Sequence, residues 1–153
     1  MKHLRQQLAT LQQHISRHDL LNLTISQASV GWHIEHSLLV LNGIINTLKA
    51  SDPADFRWSF NLKRTFIMLA GIFPRGKAKA PESVVPGHFD EASLTLNVIA
   101  TENKLKELEV LDRGKFFSHP MMGHMKLKDA TRFLYIHTKH HLDIIEDIVK
   151  SKR

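Results

Sequence analysis

Apolar residues recur at three- and four-residue steps in five stretches of this chain, and no segment shows a convincing period of two. A chain patterned in this way buries helical stripes rather than strand faces, so the expected class is all-α. Its 153 residues, 42% of them hydrophobic and 24% charged, suit one soluble-type domain over 1–153 with a real core. No internal repeat or low-complexity segment divides it.

The first expected helix, about Lys2 to Arg17, carries Leu4, Leu8, Leu11 and Ile15 on one face. The second begins near Ser26, where Ser26 and Ser29 offer capping oxygens, and runs to about Ala50 on a stripe of Ile34, Leu38, Leu41, Ile45 and Leu48. "SDPADF" supplies a cap and an early proline for a third helix, about Pro53 to Gly71, which "GIFPRG" ends. From Phe73 to Phe89 the chain has three prolines, two glycines and no helical period, the mark of an extended surface loop of a length often tied to function. Asp90 can cap a fourth helix, about Glu91 to Leu111, with Leu94, Val98 and Leu105 facing inward. "DRGKFFSHPMMGHMK" breaks it, and the last helix runs from about Leu127 to Lys150. The expected architecture is a bundle of four long helices with an additional shorter one.

The absence of cysteine removes disulfides, thiolate metal sites and thiol nucleophiles on the protein. Any metal must therefore use His, Asp, Glu or water. "MKHLRQQLATLQQHISRH" has no apolar run of signal-peptide length, and nothing approaches the roughly 18 apolar residues of a membrane span, so a cytoplasmic location without a membrane partner is expected. The net charge of +6 would suit an anionic partner, but only "RGKAKA" (75–80) forms a short basic cluster. With no recognition-helix pattern and no interleaved aromatics, a solvated basic surface is expected rather than nucleic-acid binding.

Histidine is the residue type with chemistry to offer. "YIHTKHHLDII" (135–145) places His137 and His141 one helical turn apart, on the arc that also holds Leu134, Leu142, Ile145, Ile148 and Val149. Both point inward, while His140 leaves at the edge of the stripe. Two imidazoles at i and i+4 can chelate one cation, although an isolated pair is more often two core histidines bonded to carbonyls or water. A third ligand from another helix would complete a site with open positions. "SVGWHIEHSLLVLN" (29–42) offers His33 and His36 near the start of the second helix, and periodicity alone does not choose between them.

"GWHIEHSL" and "HTKHHL", in that order and separation, resemble the DinB-like superfamily of metalloenzymes, and the resemblance covers most of the chain. It implies a DinB-like four-helix bundle holding one divalent metal through a His of the second helix, matching His36, and an HxxxH pair of the last, matching His137 and His141. "RGKAKAPESVVP" and "FSHPMMG" resemble a branch of small proteins with no settled activity. In characterised members the open metal positions bind a low-molecular-weight thiol and promote S-transfer to, or isomerisation of, an electrophilic small molecule, so that chemistry leads, with no residue singled out as catalytic. Three imidazoles accept zinc, nickel, iron or manganese. A metal-dependent hydrolase ranks lower, because the carboxylates nearest in sequence, Glu35 and Asp143, are expected to face away. A metal-stabilised or purely structural bundle remains the alternative, and a homodimer is open.

Other conspicuous residues receive plain expectations. Trp32, Trp58, Phe56, Phe60 and Phe66 read as packing residues. Met121, Met122 and Met125, beside Phe116 and Phe117, read as loop anchors or an adaptable pocket wall. His119 and His124 read as surface histidines with a minor option on the metal.

Overall fold

The structure, a computed structural model, describes residues 1–76 and 80–152. Residues 77–79, part of the basic cluster, lie outside the described residues. Among the described residues five helices and one small hairpin follow in the order α1 (Lys2–Gln13), α2 (Val30–Ala50), α3 (Leu62–Ala70), α4 (Glu91–Glu109), β1 (Phe116–His119), β2 (Gly123–Lys126) and α5 (Leu127–Lys150). The long helices form the body: α1 and α2 each pack against both α4 and α5. Leu4, Leu8 and Leu11 of α1 meet Leu94, Val98 and Leu105 of α4 and Leu134, Ile145 and Ile148 of α5 in one continuous core with the α2 stripe. The periodicity therefore identified the inward faces of α1, α2, α4 and α5 correctly.

Local chemistry trims the helices. The first ends at Gln13 rather than Arg17, and a 3-10 turn over Ile15–Arg17 still buries Ile15 on the same stripe. The second starts at Val30, where the Ser29 hydroxyl accepts from the Trp32 amide at 3.3 Å. Ser26, the alternative cap, instead accepts from the Ala28 amide and meets a histidine ring, so the four residues before Val30 stay outside the helix. Asp90 caps α4 as expected, exchanging side-chain bonds with Ser93 in a capping box.

Two expectations are corrected. The third helix does not span Pro53 to Gly71; a 3-10 turn at Pro53–Asp55 and an irregular stretch precede a helix of nine residues. The cause is competition for the backbone. Asn61 caps the Arg64 amide, and the Arg64 guanidinium binds the carbonyls of Ser59, Met122 and His124, strapping residues 56–61 across the hairpin. Gly71, at φ 67°, closes the helix in a left-handed cap. The structure is also mostly helical rather than wholly so, because β1 and β2 pair antiparallel from Phe116↔Lys126 to His119↔Gly123. Four-residue strands whose burial does not alternate give no period of two to detect. Among the described residues no helix is long and apolar enough to cross a membrane.

Candidate metal centre

The first turns of α2 lie against the middle of α5, which brings together His33 and His36 from one helix and His137 and His141 from the other. One ring nitrogen from each of His36, His137 and His141 lies within 4.8 Å of the other two. His36 Nδ1 donates to the Val84 carbonyl at 2.7 Å, which leaves the lone pair on Nε2. That Nε2 faces His137 Nε2 at 3.3 Å. Metal–nitrogen bonds of about 2.0–2.1 Å in a tetrahedral shell separate ligand nitrogens by about 3.4 Å, so this pair already stands at chelating distance. His141 points its Nδ1 at His33 Nδ1, 2.9 Å away, which leaves Nε2 as its free nitrogen.

The periodicity left His33 and His36 undecided, and the structure gives them different partners. His33 is bonded at both ends of its ring, to His141 and to the Ser26 hydroxyl at 2.9 Å. If His141 keeps its proton on Nδ1, His33 accepts it there and donates from Nε2 to Ser26. Such a chain fixes the tautomer and the ring angle of a ligand, as outer partners of metal-bound histidines do. His140 stands at the margin, its ring 5.1 Å from that of His141 and 6.0 Å from Phe73, outside the three-nitrogen cluster.

Aromatic rings enclose the cluster. Trp32, one turn before His36, stacks on it at 4.8 Å and 12°. Phe133, one turn before His137, stacks on that ring at 5.9 Å, and Phe73 meets it edge-on at 5.8 Å. Phe73 and Val84 both belong to the proline-rich loop, which thus covers the histidines from two points. Burial pushes all four imidazoles toward the neutral form. His33 is lowered to about 4 by burial and then by His36, His140 and Arg75. His36 is lowered by burial, partly offset by its bond to Val84. His137 and His141 are both held well below the ordinary value by burial and the neighbouring histidines. His137 Nδ1 is buried without a hydrogen-bond partner. The result is a nest of neutral donors in an apolar setting, the protonation state that divalent cations require of histidine.

The remaining candidates lie elsewhere. Glu35 faces α4, where both its oxygens accept from Asn97, and Asp143 pairs with Lys139 on the surface of α5. His119 is separated from His137 by the Phe133 ring. His124 stacks on Phe116 and accepts from the Arg57 amide, a structural role. Met122 and Met125 are buried anchors while Met121 is exposed. The residues that sequence reading missed are Ser26, Trp32, Phe73 and Val84. Trp32 left a signal in its i, i+4 spacing to His36, and Phe133, also missed, left the same one in its spacing to His137. Searches against protein-family models, curated proteins and solved structures return no match for this chain.

Proposed function

We propose that this chain is a metal-dependent enzyme of the DinB-like bundle type, binding one divalent cation through His36, His137 and His141. The observation that carries the reading is the convergence of three neutral ring nitrogens from two helices within 4.8 Å. Zinc, nickel, iron and manganese all suit the donor set, and three protein ligands leave positions for a small molecule. A cation there favours thiolate over thiol and polarises a carbonyl. The chain's own residues orient the site: Val84 fixes the His36 tautomer, His33 steadies His141, and Trp32, Phe73 and Phe133 limit water around the rings. Thiol-linked transfer or isomerisation with an external low-molecular-weight thiol is the leading chemistry, because the resemblance points to it and the protein holds no cysteine of its own. Hydrolysis ranks lower, since among the described residues no carboxylate joins the cluster.

Cobalt substitution tests the assignment. Cobalt-loaded protein should show ligand-field bands, and a physiological thiol should add a thiolate charge-transfer band that disappears in the His137→Ala variant. Ligand-field bands without any thiol band would remove the thiol chemistry but keep the metal. A second reading has its own support in the paired imidazoles, His33 with His141 and His36 with His137, which already satisfy one another. A wholly structural bundle would keep its helical content on chelation and turn over no thiol–electrophile pair.

A further inference from the structure

The surface around α3 is built unlike the rest of the molecule. Trp58, Phe60, Leu62, Phe66, Leu69 and Ile72 fall within fifteen consecutive residues and are all exposed, Trp58 at 73% and Leu69 at 80%. The expectation that Trp58, Phe60 and Phe66 fill the core is thereby corrected; only Phe56 and Trp32 of that set pack inward in part. At 100° per residue Leu62, Phe66 and Leu69 occupy an arc of about 60° on the outer side of α3. Ile67, the one buried residue of α3, lies on the other side, with the half-buried Arg64 and Met68 beside it. The helix is thus apolar on both faces, and only one face is covered. Asn61 binds the Met121 carbonyl, which sets the exposed Met121 beside the N-terminus of α3 and extends the patch.

Charge shares the same stretch. Between Asp55 and Glu82 there is no acidic residue, while Arg57, Lys63, Arg64, Arg75, Lys77 and Lys79 are basic, so this stretch carries a charge equal to the +6 of the whole chain. Elsewhere acids and bases balance. Arg64 is committed to three carbonyls, which leave its charge uncompensated, whereas Arg75 is paired with Asp147, and Lys63 is exposed on the flank of the apolar arc.

We infer that the 57–72 face binds the surface of an anionic phospholipid membrane, with Leu62, Phe66 and Leu69 seated at the acyl boundary and Arg57 and Lys63 against the headgroups. An amphipathic segment with aromatic and aliphatic residues on one side and Lys and Arg around it has the composition of interfacial helices, and Trp58 suits the headgroup level. Each basic residue near an anionic leaflet adds attraction that falls off within a Debye length. A second copy of this chain fits less well, because a two-fold contact would set two uniformly positive stretches against each other. Nucleic acid fits less well too, because two of the three side chains on the arc are leucines, which do not stack on bases. The expectation of no membrane partner rests on the lack of a spanning segment, and a helix lying on the surface needs none. The inference is independent of the metal centre.

Vesicle flotation tests it on the full chain. Liposomes of phosphatidylcholine and phosphatidylserine at roughly three to one should carry the protein up, liposomes of phosphatidylcholine alone should not, and added salt should release it. Substituting Leu62→Ser, Phe66→Ser and Leu69→Ser together should cut partitioning at least about tenfold, and Lys63→Glu should weaken it without touching the apolar arc. All four side chains are exposed, and circular dichroism checks that the bundle is intact. In the unsubstituted protein Trp58 emission should shift to the blue on binding and be quenched by brominated lipid, a signal that Trp58→Phe removes. Absence of flotation with phosphatidylserine, equal flotation with phosphatidylcholine alone, or unchanged partitioning of a folded triple variant would each overturn the assignment. So would a dimer abolished by the triple variant, or retention of RNA by the unsubstituted chain, where vesicles do not bind.

Discussion

At the residue scale, five histidines within two helices are asked to do different things. His36→Ala, His137→Ala and His141→Ala should each reduce metal affinity severely, because a three-donor site cut to two loses most of its chelation. His33→Ala should cost about 10 to 100-fold, the range typical of an outer partner, since it releases the His141 ring without removing a donor. His140→Ala should do least, as its ring lies outside the cluster. Competition against a coloured chelator ranks all five, and a His140→Ala loss as deep as that of His141→Ala would mean the inward face of α5 is misassigned. The i, i+4 pair was legible because helical spacing alone puts His137 and His141 on one arc. Periodicity left His36 undecided, since His33 and His36 both border the α2 stripe; the motif resemblance pointed to it, and the positions of Val84 and Ser26 separate the two roles.

At the element scale, the start of α2 depends on one close approach. The Gly31 amide donates to the His18 carbonyl at 2.8 Å, and a side chain at Gly31 would meet the Phe89 ring and come within 2.9 Å of that carbonyl oxygen. Gly31→Ala should therefore destabilise the fold by about 1 to 3 kcal/mol, the usual range for overpacking. It should also loosen the metal centre, because Phe89 anchors the loop that carries Val84 against His36. Urea unfolding reads the first effect and metal affinity the second; an unchanged midpoint would show that the loop simply shifts. The third helix makes the complementary point. Its period extended back toward Pro53, but the Arg64 bonds to Ser59, Met122 and His124 hold residues 56–61 out of it.

At the scale of the whole molecule, several buried imidazoles tie stability to pH. Once metal is chelated away, the unfolded chain takes up protons as pH falls below about 6.5, the ordinary imidazole value. The folded chain resists: His33 protonates only near 4, and His36, His137 and His141 are lowered as well. The unfolded state binds more protons throughout that window, so the stabilisation is complete above about 6.5 and is lost as pH falls toward 4. Thermal melts of chelated protein should be nearly flat at neutral pH and drop steeply below it. A melting temperature that rises on acidification would contradict the buried, neutral state of the cluster.

The sequence alone determined the helical class, the inward stripes of four helices, the Asp90 cap and the extent of α5, because each of these depends on neighbours within one or two turns. It also marked His137 and His141 as a pair. The tertiary structure decided what depends on distant parts of the chain meeting. It joined His36 to the pair, set His33 behind His141, and brought Phe73 and Val84 of the proline-rich loop onto the histidine rings. It also turned Trp58, Phe60 and Phe66 outward. Period and propensity assign a residue to a face, but whether another element covers that face is settled only when the arginine strap, the hairpin and the helices have all found their places.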